Sequence, residues 1–79
     1  MTKAIIDTCV VIDALQKREP FWKTAERIFI AAAEDEFVGI ITAKRISADC
    51  IVTRNFKDYK NSSVPVMSPE EFITAMNTN

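Results

Sequence analysis

The chain has no histidine and only two cysteines, Cys9 and Cys50, set far apart. With no imidazole and two isolated thiols it has neither the ligands of a zinc site nor a disulfide framework. Both cysteines read as small reduced core side chains. No apolar run approaches the ~18–20 residues of a membrane span, and no secretory leader opens the chain, so a cytoplasmic setting is expected. Neither charge is in excess: Lys plus Arg is 10, Asp plus Glu is 11, and the net charge is −1. That balance argues against a generic basic clamp that binds nucleic acid by neutralising phosphates. It leaves room for a nuclease that holds its substrate through metal ions. There is no internal repeat and no low-complexity segment.

What remains in 79 residues is a single small domain. A chain of this length buries only about 60–65% of its unfolded surface, so its core is marginal unless it associates. Lys3–Ile6 reads as a short buried strand, followed by an apolar helical turn over Cys9–Leu15 with Thr8 as its cap. "KREP" breaks that helix. Pro20 then suits the first position of a second one, in which Phe21, Ala25, Ile28, Phe29 and Ala32 recur at helical spacing to about Glu34. Phe21, Trp22 and Phe29 are read as core rather than as a base-stacking platform. A second strand is expected over Phe37–Ile41, around the only glycine, Gly39, a third over Cys50–Thr53, and a short fourth at Pro65–Val66. "SPEEF" is a helix start, with Ser68 as N-cap, Pro69 at the first position and Glu71 closing a capping box; that helix is expected to run to Met76. This order of elements predicts an α/β domain with a mostly parallel sheet and helices on both of its faces.

One connection is too short for that plan. Only "TAKRISAD" separates the second and third strands, whereas parallel neighbours need about a dozen residues or more, usually including a helix. Fully extended, such a segment reaches roughly 26–29 Å. Either the two strands are not parallel neighbours within one chain, or a covering segment is absent; a plain antiparallel turn is the alternative. Uncovered sheet surface predicts association, with chain exchange between protomers as one route.

The residues with candidate chemistry lie at strand ends. Asp7 closes the first strand at its carboxyl end, where open parallel sheets gather ligands. Asn55 and Asp58 follow the strand "CIVT" at the equivalent edge. If those strands are neighbours, Asp7, Asn55 and Asp58 converge, and clustered carboxyl and amide oxygens suit Mg²⁺ or Mn²⁺. A metal so placed activates water and stabilises a breaking phosphodiester. Thr8, Asp13 and Thr53 are read as supporting this group, Asp13 from a helix surface. Asp49, at the opposite end of the sheet, is structural. Arg54 is a weak candidate for phosphate.

These segments resemble a known family. "IIDTCVVIDAL" resembles the opening strand and helix of PIN-domain proteins, and "KREPFWKTAERIFIAAAEDEFVGIITA" their next helix and strand. "ADCIVTRNFKDYKNSSVPVMSPEEFI" resembles their closing third. The resemblance implies a three-layer PIN-like domain, residues 1–43 forming its opening part and 46–79 its closing part, truncated in the middle. It implies descent from Mg²⁺- or Mn²⁺-dependent endoribonucleases, many of them toxins of toxin–antitoxin pairs, with RNA as substrate and an antitoxin protein as partner. Asp7 and Asp58 match catalytic acids of the family, Asn55 stands where many members have an acid, and Cys9 takes the place usually held by Asn. The central helices that supply two further acids have no counterpart here, which implies a weak or inactive site. The alternative expectation is a non-catalytic module that associates with itself, with a full-length relative or with an antitoxin.

Overall fold

The computed structural model describes residues 2–40 and 48–77. Strand β1 (Lys3–Ile6) leads into helix α1 (Thr8–Gln16), then α2 (Trp22–Ala33) and β2 (Val38–Ile40). Strand β3 (Cys50–Val52), a 3₁₀ turn over Phe56–Tyr59, β4 (Val66–Met67) and α3 (Pro69–Asn77) complete the chain. The α/β class and the parallel sheet are as the sequence predicts. The four strands lie in the order β2-β1-β3-β4 with every neighbouring pair parallel. The remainder of the expected second strand and most of "TAKRISAD" lie outside the described residues.

The short connection is explained by the strand order. β2 and β3 are parallel but are not neighbours, because β1 sits between them and pairs with both. An antiparallel turn is thereby ruled out. The strand tips at Ile6 and Val52 lie side by side in one chain, in register, so chain exchange is not needed to bring them together.

Alternation along the strands divides the sheet into two faces. Ala4, Ile6, Cys50 and Val52 join Val10 of α1, Ala25, Ile28 and Ala31 of α2, and Phe72 and Ile73 of α3 in one buried cluster. All three helices therefore pack on this face. Ile6, Val10, Ile28 and Val52 are fully buried there, each contributing about 1.5–3 kcal/mol relative to exposure. Phe37 meets Phe72 edge to face at 4.9 Å, tying the approach of β2 to α3. The other face carries Ile5 and Ile51, buried and paired in register, between Ile40 on one side and Val66 on the other. Among the described residues no helix covers that face.

Several boundaries differ from expectation for local reasons. Helix α1 is capped by Asp7, not Thr8: the Asp7 carboxylate accepts from the Thr8 N–H at 2.8 Å, while Thr8 is the first helical residue. Pro20 is not at the first helical position. It lies in the turn before α2, where the Arg18 carbonyl accepts from both Phe21 and Trp22 N–H groups. α1 ends on Lys17 in the left-handed region (φ 49°), whose N–H donates to the Asp13 carbonyl. The fourth strand is one residue later than predicted. The Ser68–Glu71 capping box is present in both directions, at 3.1 and 2.9 Å. Among the described residues no helix is long and apolar enough to cross a membrane.

Candidate functional site

β1 gives way to α1 at Asp7, and this residue serves both elements. Its N–H still donates to the Val52 carbonyl at 3.0 Å, continuing the ladder with β3, while its carbonyl accepts from Val10 and Val11. The carboxylate is divided in the same way. Oδ1 caps the helix; Oδ2 accepts the Thr53 hydroxyl at 2.7 Å and lies 3.6 Å from the Cys9 thiol. The Thr8 hydroxyl makes only a long contact, 3.4 Å, with Oδ1.

Thr53, fully buried at the tip of β3, connects the rest of the cluster. Its Oγ1 accepts from the Asn55 N–H at 2.9 Å and is 3.6 Å from Cys9 Sγ. Asn55 in turn donates through Nδ2 to Asp58 Oδ2 at 2.6 Å, and among the described residues its amide oxygen has no hydrogen-bond donor. Tyr59, next along the 3₁₀ turn, faces Asp7. Burial raises the pKa of its hydroxyl, and the Asp7 and Asp58 charges push it further the same way. Partial burial pulls the Asp7 carboxyl upward too. Hydrogen bonds from Thr53, the Thr8 backbone, Tyr59 and Cys9 outweigh that, holding it below its ordinary value of 3.8. Asp7 is thus an ionised carboxylate at neutral pH.

A second polar cluster locks the frame. Asp13 is not on a helix surface: it is 1% exposed and grips Arg54 with both oxygens, at 2.6 and 2.9 Å. Arg54 also stacks on Phe21, its guanidinium carbon 3.9 Å from the ring centre. The ion pair raises the already high Arg54 pKa, chiefly through the hydrogen bond to Asp13. Arg54 is therefore committed within the fold and is not a free phosphate ligand. Because it follows Thr53 directly, the pair fixes the tip of β3 against α1.

No protein-family model, curated protein or solved structure matches the chain. The case for a site therefore stands on geometry. Asp7, Thr53, Asn55 and Asp58 form one hydrogen-bonded series along the carboxyl edge of β1 and β3. Asp49 is at the other end, accepting from the Lys3 N–H at 2.8 Å, as a structural role requires. Among the described residues no three His, Cys, Asp or Glu side chains assemble as a metal-holding group. The donors that are present fit a hard divalent cation: the carboxylates of Asp7 and Asp58 and the amide oxygen of Asn55. Tyr59 was missed by sequence reasoning. Its signal was its place beside Asp58 in a segment too short to turn it away from the edge.

Proposed function

We propose that this chain is a PIN-like domain related to metal-dependent endoribonucleases of the toxin–antitoxin type, cytoplasmic, with an incomplete acidic site of weak or no activity. The observation that carries this reading is the 2.7 Å contact from Thr53 to Asp7 across two adjacent parallel strand tips, with Asn55 and Asp58 following on the same edge. Open parallel sheets bind their ligands in this place.

Asp7, Asp58 and the Asn55 amide oxygen would hold Mg²⁺ or Mn²⁺. When bound, the ion supplies Lewis-acid stabilisation of a phosphodiester and lowers the pKa of a bound water. The chain's own residues contribute orientation. Thr53 fixes one carboxylate oxygen of Asp7, the helix N-terminus fixes the other, and Asn55 fixes Asp58. The family resemblance calls for two more acids. Each missing electrostatic contact is worth about 3–4 kcal/mol in a transition state, or roughly a factor of 10²–10³ in rate.

Incubating the protein with a panel of single-stranded RNAs and Mg²⁺ or Mn²⁺ tests this. We expect little cleavage, and weak Mn²⁺ binding by electron paramagnetic resonance that Asp7→Asn abolishes. Robust turnover lost in Asp7→Asn and kept in the exposed Glu26→Gln variant would overturn the incomplete-site reading. Mn²⁺ binding unchanged by Asp7→Asn would overturn the site itself.

A second reading, a module that associates with itself, a full-length relative or an antitoxin, is favoured by α1. Leu15 is 78% exposed there, with Ile12 also exposed. Beside them Val11, Ala14, Leu15 and Phe29, with Glu26 at the edge, line a mostly apolar cleft of about 230 Å³ between α1 and α2. Multi-angle light scattering across a dilution series decides it for self-association: a monomer at every concentration removes that form.

A further inference from the structure

The connection between α1 and α2 concentrates positive charge. Across residues 17–23, "KREPFWK", three cations stand against one acid, in a chain whose net charge is −1. They are also gathered in space. The Lys17 ammonium lies over the Trp22 ring at 5.4 Å from its centre and the Lys23 ammonium at 5.7 Å. The indole N–H donates to Glu19 at 2.8 Å, which fixes the ring plane.

Helix physics accounts for only half of this. Lys17 and Arg18 follow the C-terminus of α1, where cations are favourable. Lys23 is in the first turn of α2, which has no acid and no side-chain cap. A cation there opposes the helix dipole. Lys17 also holds a left-handed backbone (φ 49°) that costs a non-glycine residue stability. Two positions that cost the fold something deliver their ammoniums to one half-buried indole.

The patch is joined to the Asp7 edge. Phe21, adjacent to Trp22, carries the Arg54 guanidinium, and Arg54 follows Thr53, which contacts Asp7. From this we infer that Lys17, Trp22 and Lys23 form a binding site for single-stranded nucleic acid, RNA under the proposed function, which this inference extends. On binding, the ammoniums that cover the ring swing to phosphates and the indole face they vacate stacks on a base, which makes Trp22, read from sequence as core, a stacking platform. Single-strand binding by this combination is tolerant of sequence.

The chain has one tryptophan, so its fluorescence reports on this site alone. A fluorescein-labelled single-stranded RNA of mixed sequence is titrated in EDTA, which separates binding from metal-dependent cleavage. Trp22 quenching and RNA anisotropy are expected to share one midpoint. Replacing both Lys17 and Lys23 by glutamine should weaken binding roughly tenfold or more and reduce the slope of log affinity against log salt by about 1.4. The doubly substituted Lys17→Arg, Lys23→Arg protein should bind as the parent does, which separates charge from folding. Because binding is read in EDTA, where metal-dependent cleavage cannot occur, a failed cleavage assay leaves this result readable. Anisotropy that rises without quenching, an unchanged affinity in the glutamine variant, or equal affinity for duplex RNA would overturn the inference.

Discussion

Replacing Arg54 by alanine removes the only partner, among the described residues, of a carboxylate that has 1% exposure. Asp13 accepts both of its hydrogen bonds from this one guanidinium. Breaking a buried pair from one side costs about 3–5 kcal/mol because the remaining charge is stranded. Arg54 is itself 30% exposed, so water screens part of the interaction and the lower end applies, about 3 kcal/mol. Loss of the stack on Phe21 adds about 0.5–1 kcal/mol. A domain of this size has roughly 4–12 kcal/mol of stability, so the variant loses a large share. At about 4–8 °C per kcal/mol, Tm should fall by ~12 °C or more. The reverse change is milder. Asp13→Asn keeps the shape and leaves a guanidinium that can turn to water, costing about 1–2 kcal/mol. Lysine at position 54 should restore only part of the loss, since it cannot bind both oxygens in one plane. Urea unfolding followed by far-ultraviolet circular dichroism measures all three variants. If Arg54→Ala lies within ~0.5 kcal/mol of the parent, or Asp13→Asn costs more than Arg54→Ala, the locking role assigned to this pair is wrong.

Thr53→Val keeps the volume but removes both the donor to Asp7 and the acceptor for the Asn55 N–H, and should cost about 1–2 kcal/mol at neutral pH. Because the folded Asp7 carboxyl sits below 3.8, its contribution is complete above that value and is lost as pH falls through the lower folded one. The gap between parent and Thr53→Val should therefore narrow in strong acid, and an unchanged gap in urea unfolding would contradict the assignment. Gly39 has no positive φ, and a Cβ there would meet only ordinary contacts, 3.4 Å from the Phe37 ring and 3.7 Å from Ala32. Gly39→Ala should raise stability by about 0.4–1 kcal/mol, read from the urea midpoint. Ser68→Ala breaks the capping box and should lower stability by about 1 kcal/mol, with the first turn of α3 showing faster amide hydrogen exchange.

The elements were legible where local signals agree. Apolar runs marked β1 and β3, helical spacing marked α2, and Ser68-Pro69-Glu70-Glu71 marked the start of α3. The adjacency of the strands holding Asp7 and Thr53 could be posed from sequence but not decided, because pairing between distant segments leaves no periodic trace. Asp13 was misplaced for a related reason. Its spacing from Asp7 puts it on another helical face, and nothing local says that Arg54 comes to meet it there. Pro20 shows the limit of a local rule: a residue suited to a helix start was taken instead by the turn that seats Phe21 under Arg54. Thr8 lost the cap to Asp7 because the acid one residue earlier accepts the N–H of Thr8 itself, making Thr8 the first helical residue.

Of the four strands, the earliest in sequence is paired on both of its edges. β1 finds one neighbour only when Val38 has been made and the other only after Cys50. Until then its isoleucines have no lasting shelter, and the helices α1 and α2, already synthesised, have no complete surface to lie against. The two pairings of β1 each close a long loop, from Lys3 to Val38 and from Ala4 to Cys50, and closures of that length slow the search. Until both have closed, β1 is an unpaired apolar segment of the kind that chaperones recognise.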